Sequence, residues 1–182
     1  MSICEECPIR LFNTKHHNIQ GVGNPFYGKC IVVPNVDYKA YKLGSMNFSN
    51  QVSIINSIIS STGGYNQAYI VPLLRCNEHI SCDVDDATYN RCLKHFIDDI
   101  CKYDFRHILL LGDAARRFLH CDITDNLNNI CISRNNRTYA VNYSPFIKYV
   151  DDNKFNIFQQ QLIKWYTSVE NNDFTQYNIL RI

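Results

Sequence analysis

Short β-branched runs alternate with longer amphipathic stretches along this chain, and this alternation constrains its fold more than any other feature. Strand character is found at 28–33, 67–74, 106–112 and 137–145. Apolar residues at helical spacing are found at 48–64, 85–103 and 154–169, and a further helix is expected directly after Gly112. Such alternation is typical of a sheet covered by helices on both faces. The sequence therefore predicts an α/β three-layer sandwich with a mainly parallel central sheet.

Length and composition limit the organisation and the location of the protein. With 182 residues, 46% of them hydrophobic and 19% charged, we expect one folded domain over 1–170 and a loose tail over 171–182. The formal charge of +1 excludes a globally basic surface but leaves a local basic patch open. No apolar run reaches the roughly 18 residues that span a bilayer, and the first residues are too polar for a secretory signal. We expect a cytoplasmic protein with no membrane partner.

The nine cysteines include a pattern that is typical of a metal centre. An odd number without an export signal argues against a disulfide framework. Cys4 and Cys7 form a C-x2-C pair, and Cys76 and Cys92 are separated by fifteen residues. Four thiolates bind Zn²⁺ or a [4Fe–4S] cluster. Because zinc modules use two tight pairs, the wide second pair favours an iron–sulfur cluster and leaves zinc as the alternative.

This cysteine spacing, with the order of four other motifs, resembles the iron–sulfur branch of the uracil-DNA glycosylases. In that family the third cysteine lies just after a central strand, and the fourth lies fifteen residues later on a helix. Cys76 in "AYIVPLLRC" and Cys92 in "DATYNRCLKHF" match these two positions, and Cys82, which lies between them, fits the family's spacing less well. The other matching motifs are "GVGNP" (21–25), "HILLLGDAARRFL" (107–119) and "NYSPFIKYV" (142–150). The resemblance spans roughly 4–166. It implies a uracil-DNA glycosylase-like fold, a structural [4Fe–4S] cluster on the four cysteines, an N-terminal cysteine hook, and DNA as the partner.

Three loops depart from the motifs that carry uracil excision in this family. In "IVVPNVDYKAY" (31–41), Val33-Pro34 replaces a Gly-Glu pair, and Asp37 is the candidate substitute for the missing carboxylate. Pro72 replaces an asparagine that reads the uracil edge, and proline has neither a polar side chain nor a backbone N–H. Ser144 replaces the histidine that precedes proline. Serine cannot match an imidazole in stabilising the leaving anion, so we expect no ordinary uracil excision.

DNA contact is the function that these departures leave intact. By the resemblance, Phe146 is placed to enter the duplex as an apolar wedge, beside Ser144. Arg134, Arg137 and Lys148 are expected to flank the same region and meet phosphates.

The sequence thus predicts an iron–sulfur DNA-binding protein that serves as a replication or repair accessory. By analogy with viral members of the superfamily, a DNA polymerase is a candidate partner and a viral origin is compatible. Two alternatives stay open: an active base-excision glycosylase that uses Asp37 or Ser144, and a protein–protein module that does not bind DNA.

Overall fold

The computed structural model describes residues 4, 7, 18–64, 67–77, 85–120 and 129–181. Its sheet has six strands in the order β2-β1-β3-β5-β4-β6. These are β1 (Lys29–Val36), β2 (Tyr69–Asn77), β3 (His107–Leu111), β4 (Ile130–Arg134), β5 (Arg137–Asn142) and β6 (Asn178–Arg181). Strands β2, β1, β3 and β5 run parallel, β4 is antiparallel to β5, and β6 follows the direction of β4. The predicted mainly parallel sheet is confirmed.

Within the ranges that the structure describes, five α-helices connect or cover these strands. They are α1 (Tyr38–Leu43), α2 (Asn50–Ser60), α3 (Asp86–Tyr103), α4 (Asp113–Leu119) and α5 (Asp152–Glu170). Four of them begin after an Asp or Ser N-cap whose side chain accepts a backbone N–H, namely Asp37, Ser49, Asp85 and Asp151. Within the described ranges, none of these helices combines the length and apolar content that a bilayer span requires.

Alternation of side chains along the strands produces the three layers. On β1, Ile31 and Val33 belong to the core that packs against α2 and α5. The intervening residues Cys30 and Val32 belong to a second core that packs against α3 and α4. Successive residues of a strand face opposite sides of the sheet, so helices cover both faces. The predicted three-layer sandwich is therefore confirmed.

Pro72 lies within β2, which is an edge strand of the sheet. It is paired in register with Val33 on β1, and its missing N–H faces the outer side. There, residues 19–22 run alongside: Ile70 and Val22 exchange backbone hydrogen bonds of 2.8 and 2.9 Å, and the Ile19 N–H donates to the Arg75 carbonyl at 3.0 Å. A proline inside a strand is tolerated at such an edge, because its missing N–H interrupts no hydrogen bond of the ladder.

The expected loose tail at 171–182 is corrected by the structure. Residues Asn178–Arg181 form β6, which pairs with β4, and Tyr177 is buried at 7% exposure. All four β6 residues are exposed, so this strand has no apolar alternation for sequence analysis to detect. The short helix α1, in which Ala40 alone is buried, was missed for the same reason.

A buried ion pair joins β2 to α3. Arg75 and Asp99 form a salt bridge with side chains only 3% and 11% exposed. The Arg75 guanidinium also donates to Asn18 Oδ1 at 3.3 Å, to Gln20 Oε1 at 3.0 Å and to the His95 carbonyl at 3.2 Å. One side chain thus connects three parts of the chain that are far apart in sequence.

We predict that Arg75→Met lowers the free energy of unfolding by about 3–5 kcal/mol, because it leaves the Asp99 carboxylate buried without its partner. Adding Asp99→Leu should recover much of that loss. The control is Arg106→Met, which breaks a surface pair with Asp104 whose side chains are 71% and 67% exposed and should cost less than about 1 kcal/mol. Urea denaturation measures all three. Equal losses in Arg75→Met and Arg106→Met would contradict the assigned role.

Candidate metal centre and the carboxyl edge of the sheet

The four cysteines of the predicted metal site converge on the region where β2 leads towards α3. Cys7 packs against Cys76, and both are buried, at 5% and 7% exposure. Cys92, on α3, is 6% exposed. Cys4 is partly buried, and its Sγ lies 3.2 Å from Nε2 of His95. None of these four cysteines is in a disulfide. The C-x2-C pair therefore lies against the part of the fold that carries the C-x15-C pair.

The sulfur atoms are close enough to affect one another's ionisation. Burial raises the pKa of the Cys92 thiol to about 11, and negative charges on Cys76, Cys7 and Cys4 act in the same direction. Burial also raises the pKa of Cys76, opposed by a hydrogen bond with the Asn18 backbone and reinforced by charges on Cys4 and Cys7. A bound cation would offset both effects, because it stabilises the thiolates that burial and mutual repulsion disfavour.

The residue types fit a cluster, although the side chains are not arranged around a metal position. Within the described residues, no group of three or more His, Cys, Asp or Glu side chains is placed to hold a metal ion. Four converging thiols are nevertheless the donor set that iron–sulfur clusters require. A [4Fe–4S] cluster bound here would supply iron–thiolate bonds linking the N-terminal pair to β2 and α3, and Cys4 would then exchange its contact with His95 for iron.

His95 is a site residue that sequence analysis missed. It follows Cys92 by one helical turn on α3, so the two side chains lie on the same side of the helix. That spacing was the available signal. Its ring contact positions Cys4, whereas its backbone carbonyl accepts from Arg75.

Asp37 performs a structural role in the loop after β1. Its Oδ1 accepts the Ala40 N–H at 3.0 Å, capping α1. Its Oδ2 accepts from the Ser49 hydroxyl at 2.5 Å and from the Gln51 N–H at 3.3 Å. The carboxylate is buried at 6% exposure. Both oxygens are engaged in holding α1 and α2, which does not favour the expected use of Asp37 as a catalytic substitute.

Pro34 lies inside the sheet, whereas the sequence placed it in the loop after the first strand. Strand β1 continues to Val36 along β2, with Asn35 paired to Leu74. On its other side, pairing with β3 ends at Val32. Pro34 therefore lies beyond the β3 ladder, where its lack of an N–H is tolerated. Both Pro34 and Pro72 are buried, and neither has a polar side chain with which to read a base.

Ser144 lies where the loops after β3 and β5 meet, at the edge where the parallel strands end, here called the carboxyl edge. Its hydroxyl accepts the Phe146 N–H at 3.4 Å and caps a 3-10 helix over Pro145–Tyr149. Gly112, at φ +53°, donates its N–H to the Asn142 carbonyl at 2.9 Å. A Cβ on Gly112 would lie 2.8 Å from the Ser144 Cβ. The missing side chain thus lets the two loops approach each other.

Residues 145–150 form an apolar projection at the carboxyl edge, here called the 145–150 projection. Tyr149 and Val150 are 67% and 81% exposed. Phe146 is partly buried, with its ring centroid 6.2 Å from that of Tyr149. Lys148 is exposed, and its ammonium lies 5.9 Å from the Tyr149 centroid. The structure brings Ser144, Phe146 and Lys148 together, and Tyr149 and Val150 project further than Phe146.

Arg134 and Arg137 lie at the opposite end of the sheet, contrary to the expectation that they flank Ser144. They face each other across the β4–β5 hairpin, whose turn residues Asn135 and Asn136 have φ of +51° and +60°. Arg137 and Asn142 are five residue steps apart on β5, which corresponds to about 16 Å. The predicted DNA-contact group is therefore divided between two edges.

A cavity of about 340 Å³ lies between α3 and α4. The Arg117 guanidinium covers the Tyr89 ring at 4.1 Å, and the Tyr89 hydroxyl donates to Asp113 at 3.2 Å. Arg117 also pairs with Asp86. The charged groups that line this cavity thus pair largely with one another. No sequence motif had indicated this cavity.

No protein-family model matches the chain, and no curated protein matches it in sequence. Fold and site together define an α/β three-layer sandwich with a thiol-rich site beside an edge strand and an apolar projection at the carboxyl edge.

Gly112→Ala tests the contact between the two loops. We expect it to lower the free energy of unfolding by about 1–3 kcal/mol more than Gly63→Ala. Both glycines have positive φ, +53° and +83°, but a Cβ on Gly63 meets nothing within 4 Å. The control therefore carries the backbone strain without the clash. Thermal or urea unfolding measures the difference between the two variants. Equal losses of unfolding free energy would show that Ser144 moves away from the added Cβ at no measurable cost.

Proposed function

We propose that this chain is an iron–sulfur DNA-binding protein of the uracil-DNA glycosylase superfamily that lacks ordinary uracil excision and serves as a replication or repair accessory. The observation that carries the proposal is the convergence of Cys4, Cys7, Cys76 and Cys92. Four cysteines from three separate parts of the chain lie near one another, and three of them are buried. Their spacing matches the family's cluster ligands, and four thiols are the donor set that such a cluster requires.

The proposed cluster has a structural role. The N-terminal cysteine pair is bridged by a backbone hydrogen bond from the Cys7 N–H to the Cys4 carbonyl at 3.3 Å. Bonds to iron would fasten this pair to β2 and α3, next to the Arg75–Asp99 ion pair. Zinc on the same four thiols is the alternative occupant.

Loss of uracil excision is supported by the side chains in the three loops that differ from the family's motifs, because each is either apolar or already engaged in a structural hydrogen bond. The Asp37 oxygens are engaged by α1 and α2. Pro34 and Pro72 are buried in strands. Ser144 offers one hydroxyl in place of an imidazole, and that hydroxyl caps the 3-10 helix. None of these groups favours general-base or leaving-group catalysis.

DNA binding at the carboxyl edge is supported by the 145–150 projection. Tyr149 and Val150 are exposed apolar groups of the kind that insert between base steps, and Lys148 places a cation beside them. The replication-accessory role, with a DNA polymerase as partner, extends the proposal by analogy with viral members of the superfamily.

Metal analysis of anaerobically purified protein tests the cluster. We expect about four irons and four acid-labile sulfides per chain, with a broad visible absorbance. Cys76→Ser should lose both. The control is Cys101→Ser, which changes an exposed thiol on the same helix as Cys92 and should keep full iron. Stoichiometric zinc without sulfide would replace the cluster by the alternative occupant, and no metal at all would contradict the proposed site.

DNA binding and excision are tested on one labelled duplex, with and without uracil. We expect affinity that falls with salt and no abasic product. The double variant Phe146→Ala with Lys148→Gln should bind more weakly, and its plot of log affinity against log salt should be shallower by about 0.9 for the lost phosphate contact.

The control for that variant is Ile97→Ala with Lys94→Gln, which removes the same residue classes from the exposed face of α3 and should leave binding unchanged. Release of uracil at an enzymatic rate would support the active-glycosylase alternative. Equal affinity in the two double variants would remove Phe146 and Lys148 from the DNA surface.

A further inference from the structure

Four arginines occupy the ends of four neighbouring strands at the edge opposite the 145–150 projection. This amino edge is where β1, β3 and β5 begin. Arg106 directly precedes β3, and Arg137 is the first residue of β5. Arg134 ends β4 and Arg181 ends β6, and both strands run towards this edge. Because the sheet order is β3-β5-β4-β6 here, the four arginines follow one another across the edge.

The spacing of the strands sets the length of this row. Neighbouring strands lie about 4.8 Å apart, so the backbone positions from β3 to β6 span about 14 Å. The Thr138 N–H donates to the Arg106 carbonyl at 2.8 Å, and Arg137 Nε donates to the Phe105 carbonyl at 3.0 Å. These bonds fix the amino ends of β3 and β5 against each other, so the row is held by the sheet rather than by loops.

The row is more positive than its acidic neighbours can neutralise. Asp104 pairs with Arg137 at 3.3 Å and with Arg106 at 3.6 Å. Glu170 is paired with Lys29 at the start of β1. Arg134 and Arg181 are exposed, and among the described residues neither forms an ion pair. Four arginines against Asp104 leave an excess of positive charge, which suits a chain of phosphates.

Two exposed aromatic rings lie at the β1 end of the same row. Phe26 is 83% exposed and Tyr27 is 54% exposed. The 3-10 helix that carries them, Pro25–Tyr27, is capped by Asn24, whose Oδ1 accepts the Phe26 N–H at 2.9 Å. The Gly28 carbonyl accepts from the backbone N–H groups of Arg106 and His107 at 2.9 and 3.0 Å. The rings are therefore held next to the first arginine of the row.

We propose that the amino edge binds a single strand of nucleic acid, with bases stacking on Phe26 and Tyr27 and phosphates meeting the arginine row. Exposed aromatic rings beside a positive groove are the combination that single-strand binding uses. The proposal rests on the proposed DNA-binding function and deepens it, since it adds a second surface at the opposite edge of the sheet from the 145–150 projection.

Titration of the whole protein with two strands of equal length and charge tests the proposal: an oligothymidylate and its fully abasic counterpart. Arg134→Gln with Arg181→Gln should weaken binding to both strands and make the salt dependence shallower by about 1.4, for two lost phosphate contacts. Phe26→Ala should weaken binding to the oligothymidylate by roughly tenfold and leave the abasic strand unaffected. All three residues are exposed, so the fold should be retained, and circular dichroism checks this.

Arg116→Gln is the matched control, because it removes an arginine from α4, away from this edge. If the Arg134–Arg181 double variant behaves as this control does, or if the wild-type protein binds neither strand, the proposal is overturned. Equal losses on both strands in Phe26→Ala overturn the stacking role.

The duplex titration with the Phe146–Lys148 double variant is run in parallel. Intact duplex binding with an inert amino edge overturns this inference alone, whereas single-strand binding without any effect of Phe146 or Lys148 overturns the carboxyl-edge surface alone.

Discussion

The buried ion pair between Arg75 and Asp99 is the interaction on which the arrangement of the candidate metal centre depends. Its guanidinium joins β2 to α3 and also holds the side chains of Asn18 and Gln20. Cys76 follows Arg75 directly on β2, and Cys92 lies two turns before Asp99 on α3. The ion pair thus sets the distance between the strand and the helix that carry two of the four cysteines, and holds residues 18–20 beside them.

A buried pair of charges is an unusual way to hold such a junction, because desolvation offsets much of the attraction. Here the geometry offers a reason. An apolar contact would bind α3 to β2 but would give the edge segment 18–20 no polar partner. The five donors of a guanidinium can serve the carboxylate, two side-chain oxygens and a carbonyl at once. These several hydrogen bonds fix the position of residues 18–20 against β2.

Much of the fold followed from periodicity, because its strands and helices have strong, uninterrupted patterns. The four parallel strands and four of the helices were predicted near their observed positions. Strands β4 and β6 and helix α1 were not, since few of their residues are buried and their sequences show no clear apolar period. The convergence of the cysteines was predictable from spacing and resemblance. The contact between Cys4 and His95 was not, because it depends on where the N-terminal pair lies against α3.

The division of the basic residues between two edges shows what a sequence cannot convey without topology. Arg134 and Arg137 are within ten residues of Ser144, so proximity along the chain suggested one surface. The two ends of a strand lie at opposite edges of the sheet, however, and β5 lies between Arg137 and Ser144. Once the strand order is known, the same two arginines join Arg106 and Arg181 in a row. The resulting molecule has an apolar projection at one edge and an arginine row at the other.

X-ray absorption at the iron and zinc edges of anaerobically purified protein tests the central claim most directly, because it reports which atoms surround the metal. The account predicts iron whose nearest neighbours are all sulfur, with a second shell of iron, as expected for a [4Fe–4S] cluster held by Cys4, Cys7, Cys76 and Cys92. Zinc in place of iron, or iron surrounded by nitrogen and oxygen without an iron neighbour, would contradict it.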